Sequence, residues 1–279
     1  MRIEIHQAWY HPAQREHLDP AFTPLDNTAN PHPDQAETYL FRRHYTAGHH
    51  HLADVTGVVS WRFGEKTNLG GDSFFRFIQE RPGYDVYLIN PFPSLAQSYR
   101  NVWHHGEAFH EDMLGYAQEV FNMAGHRIDL ASLAMSEAQT LYCNYWAGTP
   151  AFWERYMAFA LPISDAMLQP GKHVPSSGYV GSYHLSTMSY YPFIMERVFS
   201  TLLATQPDIK ASAYVYPPEY VALSAKYLEL ANHLVRTGGV YDSSTVRMAA
   251  RLARIPGVEP VSRKLLNTMR GVRTLLKRG

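Results

Sequence analysis

Gly57-Val-Val-Ser-Trp-Arg-Phe63, with Lys66 just beyond it, and Tyr84-Asp-Val-Tyr-Leu-Ile-Asn90-Pro-Phe-Pro93 form the most telling part of this chain. Both are apolar, β-rich runs that end abruptly in polar or charged residues. An α/β sheet delivers functional groups to the carboxyl ends of its strands in this way. A site is therefore expected at those ends, with Arg62, Lys66 and Asn90 in it.

Working outward, residues 2–10 read as an opening strand with Ile3 and Ile5 inward, and Asp34 followed by Glu37 reads as a capping-box start for a helix running to Ala47, before Gly48. Strand follows over residues 55–63. Asp72 reads as the N-cap of a short helix through Ile78, stopped by Pro82-Gly83, and a strand follows over residues 84–89. Residues 107–124 carry apolar side chains at helical spacing and read as one helix closed by Gly125. Further helices are expected to begin at Thr149-Pro150, Tyr191-Pro192 and Pro217-Pro218, where a missing N–H costs nothing. This alternation predicts an α/β fold with a mainly parallel sheet flanked by helices, and a helical C-terminal extension.

The chain has 279 residues and 46% hydrophobic composition, ample for a sizeable core. Cys143 is its single cysteine, so no intramolecular disulfide can form, and Met1-Arg-Ile-Glu-Ile-His-Gln reads as a charged strand rather than a signal peptide. A reducing, cytoplasmic setting is expected. No run approaches the roughly 18 apolar residues of a membrane span. The zero net charge hides an asymmetry: from Arg247 onward nine Lys and Arg face Glu259 alone, a net +8, which leaves −8 on the remainder. Two domains are expected, residues 1–239 as the α/β body and residues 240–279 as a basic amphipathic tail. Leu265, Met269, Val272 and Leu276 fall on one helical face of that tail, the pattern of a helix lying on an anionic bilayer, against the alternative of a face packed on the body. Peripheral association with the inner face of the membrane is the corresponding expectation. No nucleic-acid partner is expected.

Fifteen histidines invite a metal hypothesis, and His49-His50-His51 and His104-His105-Gly-Glu107-Ala-Phe-His110 are the densest places. Neither matches a defined zinc pattern, and no spaced cysteines accompany them. A nucleophile elbow, Gly-x-Gly-x-x-Gly and the phosphate-loop pattern are all missing, which removes acyl hydrolases, classical dinucleotide enzymes and loop-type nucleotide hydrolases as leading ideas.

The order of motifs is an opening strand, Leu25-Asp26-Asn27, a helix carrying Glu37, Gly57-Val-Val-Ser-Trp-Arg62-Phe, then Tyr142-Cys-Asn144-Tyr-Trp-Ala-Gly-Thr-Pro-Ala-Phe-Trp153-Glu-Arg-Tyr156, then Pro192-Phe-Ile-Met-Glu196-Arg197-Val-Phe199. Over about residues 1–205 this resembles the small bacterial glycosyltransferase-like proteins of capsule and lipopolysaccharide gene clusters. The resemblance implies a nucleotide-sugar (GT-A) fold, a nucleotide-sugar donor, and a glycan or lipid-linked acceptor. It also implies donor binding by Asp26, Asn27, Arg62, Lys66, Asn90, Asn144 and Arg197. Two departures stand out. Phe63 follows Arg62 where the family tends to have a second arginine, and the Asp-x-Asp with which many such enzymes hold Mg or Mn is missing. Either other oxygens bind the divalent ion or no metal is used.

Chemistry supports the same placement. Sugar transfer from a nucleoside diphosphate needs positive charge against the departing diphosphate, which Arg62 and Lys66 can supply. The acceptor hydroxyl needs a base, for which Glu196 and Glu107 are the candidates. Trp61, Trp103, Tyr145 and Trp146 offer aromatic faces for a sugar or base. Two alternatives stay open: a metal-dependent hydrolase built on the histidine clusters, and a non-catalytic carbohydrate- or membrane-associated protein.

Overall fold

The computed structural model describes residues 1–177, 188–222 and 225. The basic tail at residues 240–279 and the expected boundary at 239/240 lie outside them. The chain divides into two compact units, Met1–Pro91 with Ala96–Tyr214, and Phe92–Leu95 with Val215–Gly279. In the second, residues 218–222 are helical directly after Pro217, as the Pro217-Pro218 pair predicts.

In chain order the elements are β1 (Ile3–Trp9), β2 (Thr23–Asp26), α1 (Ala36–Thr46), β3 (Val55–Ser60), α2 (Phe63–Thr67), α3 (Gly71–Gln79), β4 (Val86–Leu88) and α4 (Pro93–Ser98). They continue with α5 (Val102–Phe109), α6 (Met113–Met123), β5 (Trp146–Gly148), α7 (Pro150–Met167), β6 (Ser176–Ser177), β7 (Met188–Ser189), α8 (Tyr190–Thr205) and β8 (Ala211–Ala213). The result is an α/β fold around a six-stranded mixed sheet of order β2-β1-β3-β5-β4-β8. β1 runs parallel to β2 and β3, β4 runs parallel to β8, and β5 is antiparallel to both β3 and β4. Hence the carboxyl ends of β1, β2, β3 and β4 and the amino end of β5 share one edge.

Local chemistry explains several elements. Every residue of β3 is buried, Thr56 and Ser60 included, so both faces of the strand are covered and no buried/exposed alternation is seen. Its Gly57 is required by β5, because a Cβ there would lie 2.7 Å from the Trp146 carbonyl oxygen. α7 starts as the sequence predicts, with Thr149 accepting from the Phe152 amide at 3.2 Å and Pro150 in the first turn. α8 likewise carries Pro192 in its first turn.

Five local expectations need correction. β2 is an additional strand, hidden in the sequence by Pro24, which a strand tolerates at a sheet edge such as this one. The strand expected over residues 55–63 stops at Ser60, and Phe63 opens α2. Asp34 lies inside a short 3-10 turn, Pro33–Gln35, and α1 has no side-chain cap, so Glu37 is released from the capping role. Asp72 sits within α3, whose N-cap is Gly70. The single helix expected over residues 107–124 is two. Asp112 turns left-handed at φ 63°, and the Glu107 carboxylate accepts from the Asp112 and Leu114 amides at 2.9 and 2.7 Å, capping α6.

The aromatic core centres on Trp146, which packs edge-on to Phe41 and Phe152 and stacks on Phe199 of α8 with ring centroids 5.5 Å apart. Trp103 and Trp146 are both fully buried, so these two rings hold the core together instead of presenting a face to a sugar. Trp103 donates to the Thr201 hydroxyl at 3.0 Å.

Candidate functional site

The shared strand edge gathers Tyr10 after β1, Asn27 after β2, Trp61 and Arg62 after β3, Asn90 after β4, and Cys143, Asn144 and Tyr145 before β5. α2 adds Lys66, the start of α1 adds Glu37, and α8 adds Glu196. The Lys66 ammonium donates to Cys143 Sγ at 3.2 Å. Tyr10, Glu37, Lys66 and Cys143 are surrounded by protein yet keep part of their surface accessible, as residues of a pocket wall do.

Electrostatics at this edge follow from that enclosure. Burial pushes Lys66 down, but Cys143, Tyr145, Glu196 and Glu37 around it outweigh burial and hold the ammonium above its ordinary value. Glu37 is pushed up by burial, with Lys66 opposing and Glu196 adding to the rise. Burial likewise raises the Cys143 thiol, against the pull of Lys66, and the Tyr10 and Tyr145 phenols. The centre thus sets a lysine favoured in its charged form beside Glu37, Glu196, a thiol and phenols whose ionisation burial opposes.

Helix α8 shapes the loop that carries Cys143. Ser200 Oγ accepts from the Leu141 amide at 2.9 Å, and Glu196 Oε1 accepts from the Cys143 amide at 3.1 Å. The two side chains are one helical turn apart, so a single face of α8 grips the loop at both points. Cys143 and Asn144 follow in the left-handed region, at φ 69° and 54°. Two consecutive non-glycine residues there cost about 1 kcal/mol or more each, and such strain concentrates at functional sites. Ser60 Oγ meets the Tyr145 hydroxyl at 3.0 Å and fixes the next residue of the loop.

Two side chains at this edge carry buried polar atoms that have no hydrogen-bond partner among the described residues. Asn27 is buried, and among the described residues neither its side-chain oxygen nor its nitrogen has a hydrogen-bond partner; Asn144 Oδ1 is buried and unpartnered among them as well. Leaving such groups unsatisfied is expensive in a folded protein, about 1–3 kcal/mol each. Asn90 is buried at the end of β4.

The other expected site residues lie differently. Arg62 sits at the β3 end but forks onto Glu65 at 2.9 and 2.7 Å, over the Trp61 ring. Asp26 is exposed and closes a turn on Thr28, whose amide and hydroxyl hold its carboxylate below the ordinary range. Arg197 is buried and turns into α5, donating to the Val102 and Phe193 carbonyls at 2.8 and 2.7 Å and to His105 Nδ1 at 3.1 Å. Glu107 is occupied as the cap of α6. Both Arg197 and Glu107 are thus spent on the helical layer. Sequence reasoning overlooked Glu37 and Cys143 as site residues, although Cys143 stands beside Asn144 in the quoted run, and it took Tyr145 for a stacking face where the ring is buried.

No protein-family model matches this chain, and neither do any curated protein or solved structure.

At the opposite edge of the sheet lie His50, His51 and Glu154, whose ligand atoms fall within 4.8 Å of one another. A separate pocket of about 420 Å³, lined by Glu111, Asp112, Glu119 and Tyr190 among others, contains none of the sheet-edge residues. Among the described residues no helix is long and apolar enough to cross a membrane.

Proposed function

We propose that the chain is a glycosyltransferase of the nucleotide-sugar (GT-A) type. It takes a sugar from a nucleoside-diphosphate donor and passes it to a surface-polysaccharide or lipid-linked acceptor. One observation carries this reading: Lys66, Glu37, Glu196, the unpartnered Asn27 amide and the unpartnered Asn144 Oδ1 all belong to the edge where the carboxyl ends of the sheet strands meet. Ligands of open α/β sheets bind in that crevice.

In a direct displacement the acceptor oxygen bonds to the anomeric carbon as the bond from that carbon to the diphosphate oxygen breaks. The electron pair leaves with the diphosphate, and Lys66 is placed to meet that charge. Glu37 takes the acceptor proton, because a carboxyl raised above its ordinary range is a better base near neutrality. Glu196 holds the Cys143 amide and with it the strained loop. The Asn27 amide, which can accept and donate, and the Asn144 Oδ1, which can accept, are the groups offered to donor hydroxyls or base edges, and the half-exposed Trp61 offers an aromatic face.

The residues at this edge do not form a fitting set for Mg or Mn. The two carboxyl groups interact with a lysine cation, and one of them is pushed toward its protonated form. No step is assigned to a metal. Thermal-shift measurements against UDP-, GDP-, CMP- and dTDP-linked sugars, with and without manganese, test the reading. A donor-specific rise in melting temperature supports it, and no shift with any donor removes it.

A further inference from the structure

We infer that His50, His51 and Glu154 form a binding site for a borderline divalent cation of the zinc class, independent of the transferase reading. His49–His51 form a 3-10 turn immediately before β3, and Glu154 lies in the first turns of α7, which begins right after β5. Because Thr56 of β3 pairs with Gly148 of β5, both segments stand at the amino edge of β3, the far side of the sheet from Lys66.

The donor atoms converge without help from any other charge. His50 Nε2 lies 3.1 Å and His51 Nε2 3.8 Å from Glu154 Oε1. Tetrahedral ligation with bonds of about 2.05 Å places ligand atoms about 3.3 Å apart, so only a small closure is needed. Two imidazoles and one carboxylate are the donor set that suits Zn²⁺ with one position left for water. His50 is buried, which fixes one ligand, while His51 and Glu154 are exposed and leave an entry path.

The support around these ligands fits the same reading. The Tyr45 hydroxyl donates to Glu154 Oε2, leaving Oε1 for the cation. His50 Nε2 meets the other oxygen, Glu154 Oε1, at 3.1 Å, so the two carboxylate oxygens have distinct partners. A hydrogen-bonded carboxylate ligand of this kind is the usual outer support of a metal site. The Tyr45 ring also stacks on His50 at 4.7 Å, limiting the reorientation of that imidazole.

The test uses the full chain made without a polyhistidine tag, stripped with chelator and titrated with Zn²⁺ against a chromogenic competitor. Co²⁺ absorption serves as the geometric readout. The expected result is one equivalent per chain with tetrahedral Co²⁺ bands. Affinity should fall more than about tenfold in His51→Ala and in Glu154→Gln, about tenfold or more in Tyr45→Phe, and not at all in His104→Ala. His51 and Glu154 are exposed, and melting curves of these variants verify folding. Absence of stoichiometric binding, or binding that both His51→Ala and Glu154→Gln leave unchanged, overturns the site and leaves these residues an ordinary ion pair.

Discussion

Lys66 Nζ lies 3.2 Å from Cys143 Sγ, joining a helix that follows the third strand to a strained loop 77 positions further along the chain. Around this contact stand Tyr145, Glu196 and Glu37, and together with Cys143 they outweigh burial and hold the ammonium above its ordinary value. A surface ion pair would not need such a setting. A lysine favoured in its charged form at the strand edge is what the proposed transfer needs against a departing diphosphate.

Glu37 is the assigned proton acceptor, and its carboxyl is raised by burial. A base acts only when deprotonated, so kcat/KM should rise with pH along a limb lying above the ordinary carboxylate range. Glu37→Gln should lose about 10²–10⁴-fold in turnover and lose the limb as well. A variant that keeps the limb shows that another group is the base.

Glu196 acts through the loop. Glu196→Gln keeps the shape and an oxygen to accept from the Cys143 amide, whereas Glu196→Ala leaves the two left-handed residues without that anchor. Ala should therefore cost stability, about 1–3 kcal/mol by denaturant unfolding, and Gln clearly less. Equal losses in the two variants would show that the charge matters more than the bond.

Gly106 lets Arg197 lie against α5. A Cβ at residue 106 would come within 2.7 Å of Arg197 Nε and 2.1 Å of Met113 Cε. Met113 has a flexible end that can move, but the guanidinium is fixed by three bonds to Val102, Phe193 and His105. Gly106→Ala is expected to destabilise the fold by about 1–3 kcal/mol in spite of the better helix propensity of alanine. A variant as stable as the parent would contradict this packing.

Buried histidines should make the fold sensitive to acid. His105 accepts from Arg197, a group that only donates, so its Nδ1 is unprotonated. Burial, then Arg197, bring His105 down to about 3; burial, then neighbouring histidines, bring His44 to about 3; burial, then Arg197, bring His110 to about 4. Unfolded histidines titrate near 6.5, so between about 6.5 and these values the unfolded chain binds more protons than the folded one. Stability is complete above about 6.5 and falls as pH drops toward 4. Melting temperatures across pH 4–8 check this, and His105→Gln should flatten the decline; a flat profile in the parent contradicts it.

Much of the fold was legible because its strands are apolar runs with abrupt polar ends and its long helices carry proline or threonine at their starts. What escaped notice had physical reasons. Pro24 disguised an edge strand, and the Glu107 carboxylate split a continuous apolar periodicity by capping from within it. Lys66 could be read from the local strand-end pattern, whereas Asn27 and Asn144 entered through the motif resemblance. Glu37 could not, because its value lies in meeting residues 66 and 196 across the sheet edge, and locally it mimics a capping residue.

The most direct measurement of the central claim is calorimetric titration of the full chain with the donor diphosphates UDP, GDP and dTDP, comparing the parent with Lys66→Met and Arg62→Ala. The account predicts binding of one of these nucleotides by the parent, weakened at least about tenfold in Lys66→Met through loss of a charge-assisted contact, about 1.4 kcal/mol or more. Arg62→Ala should have a smaller effect, because Glu65 already occupies that guanidinium. Nucleotide binding that survives unchanged in a correctly folded Lys66→Met protein, or no binding to the parent at all, would contradict it.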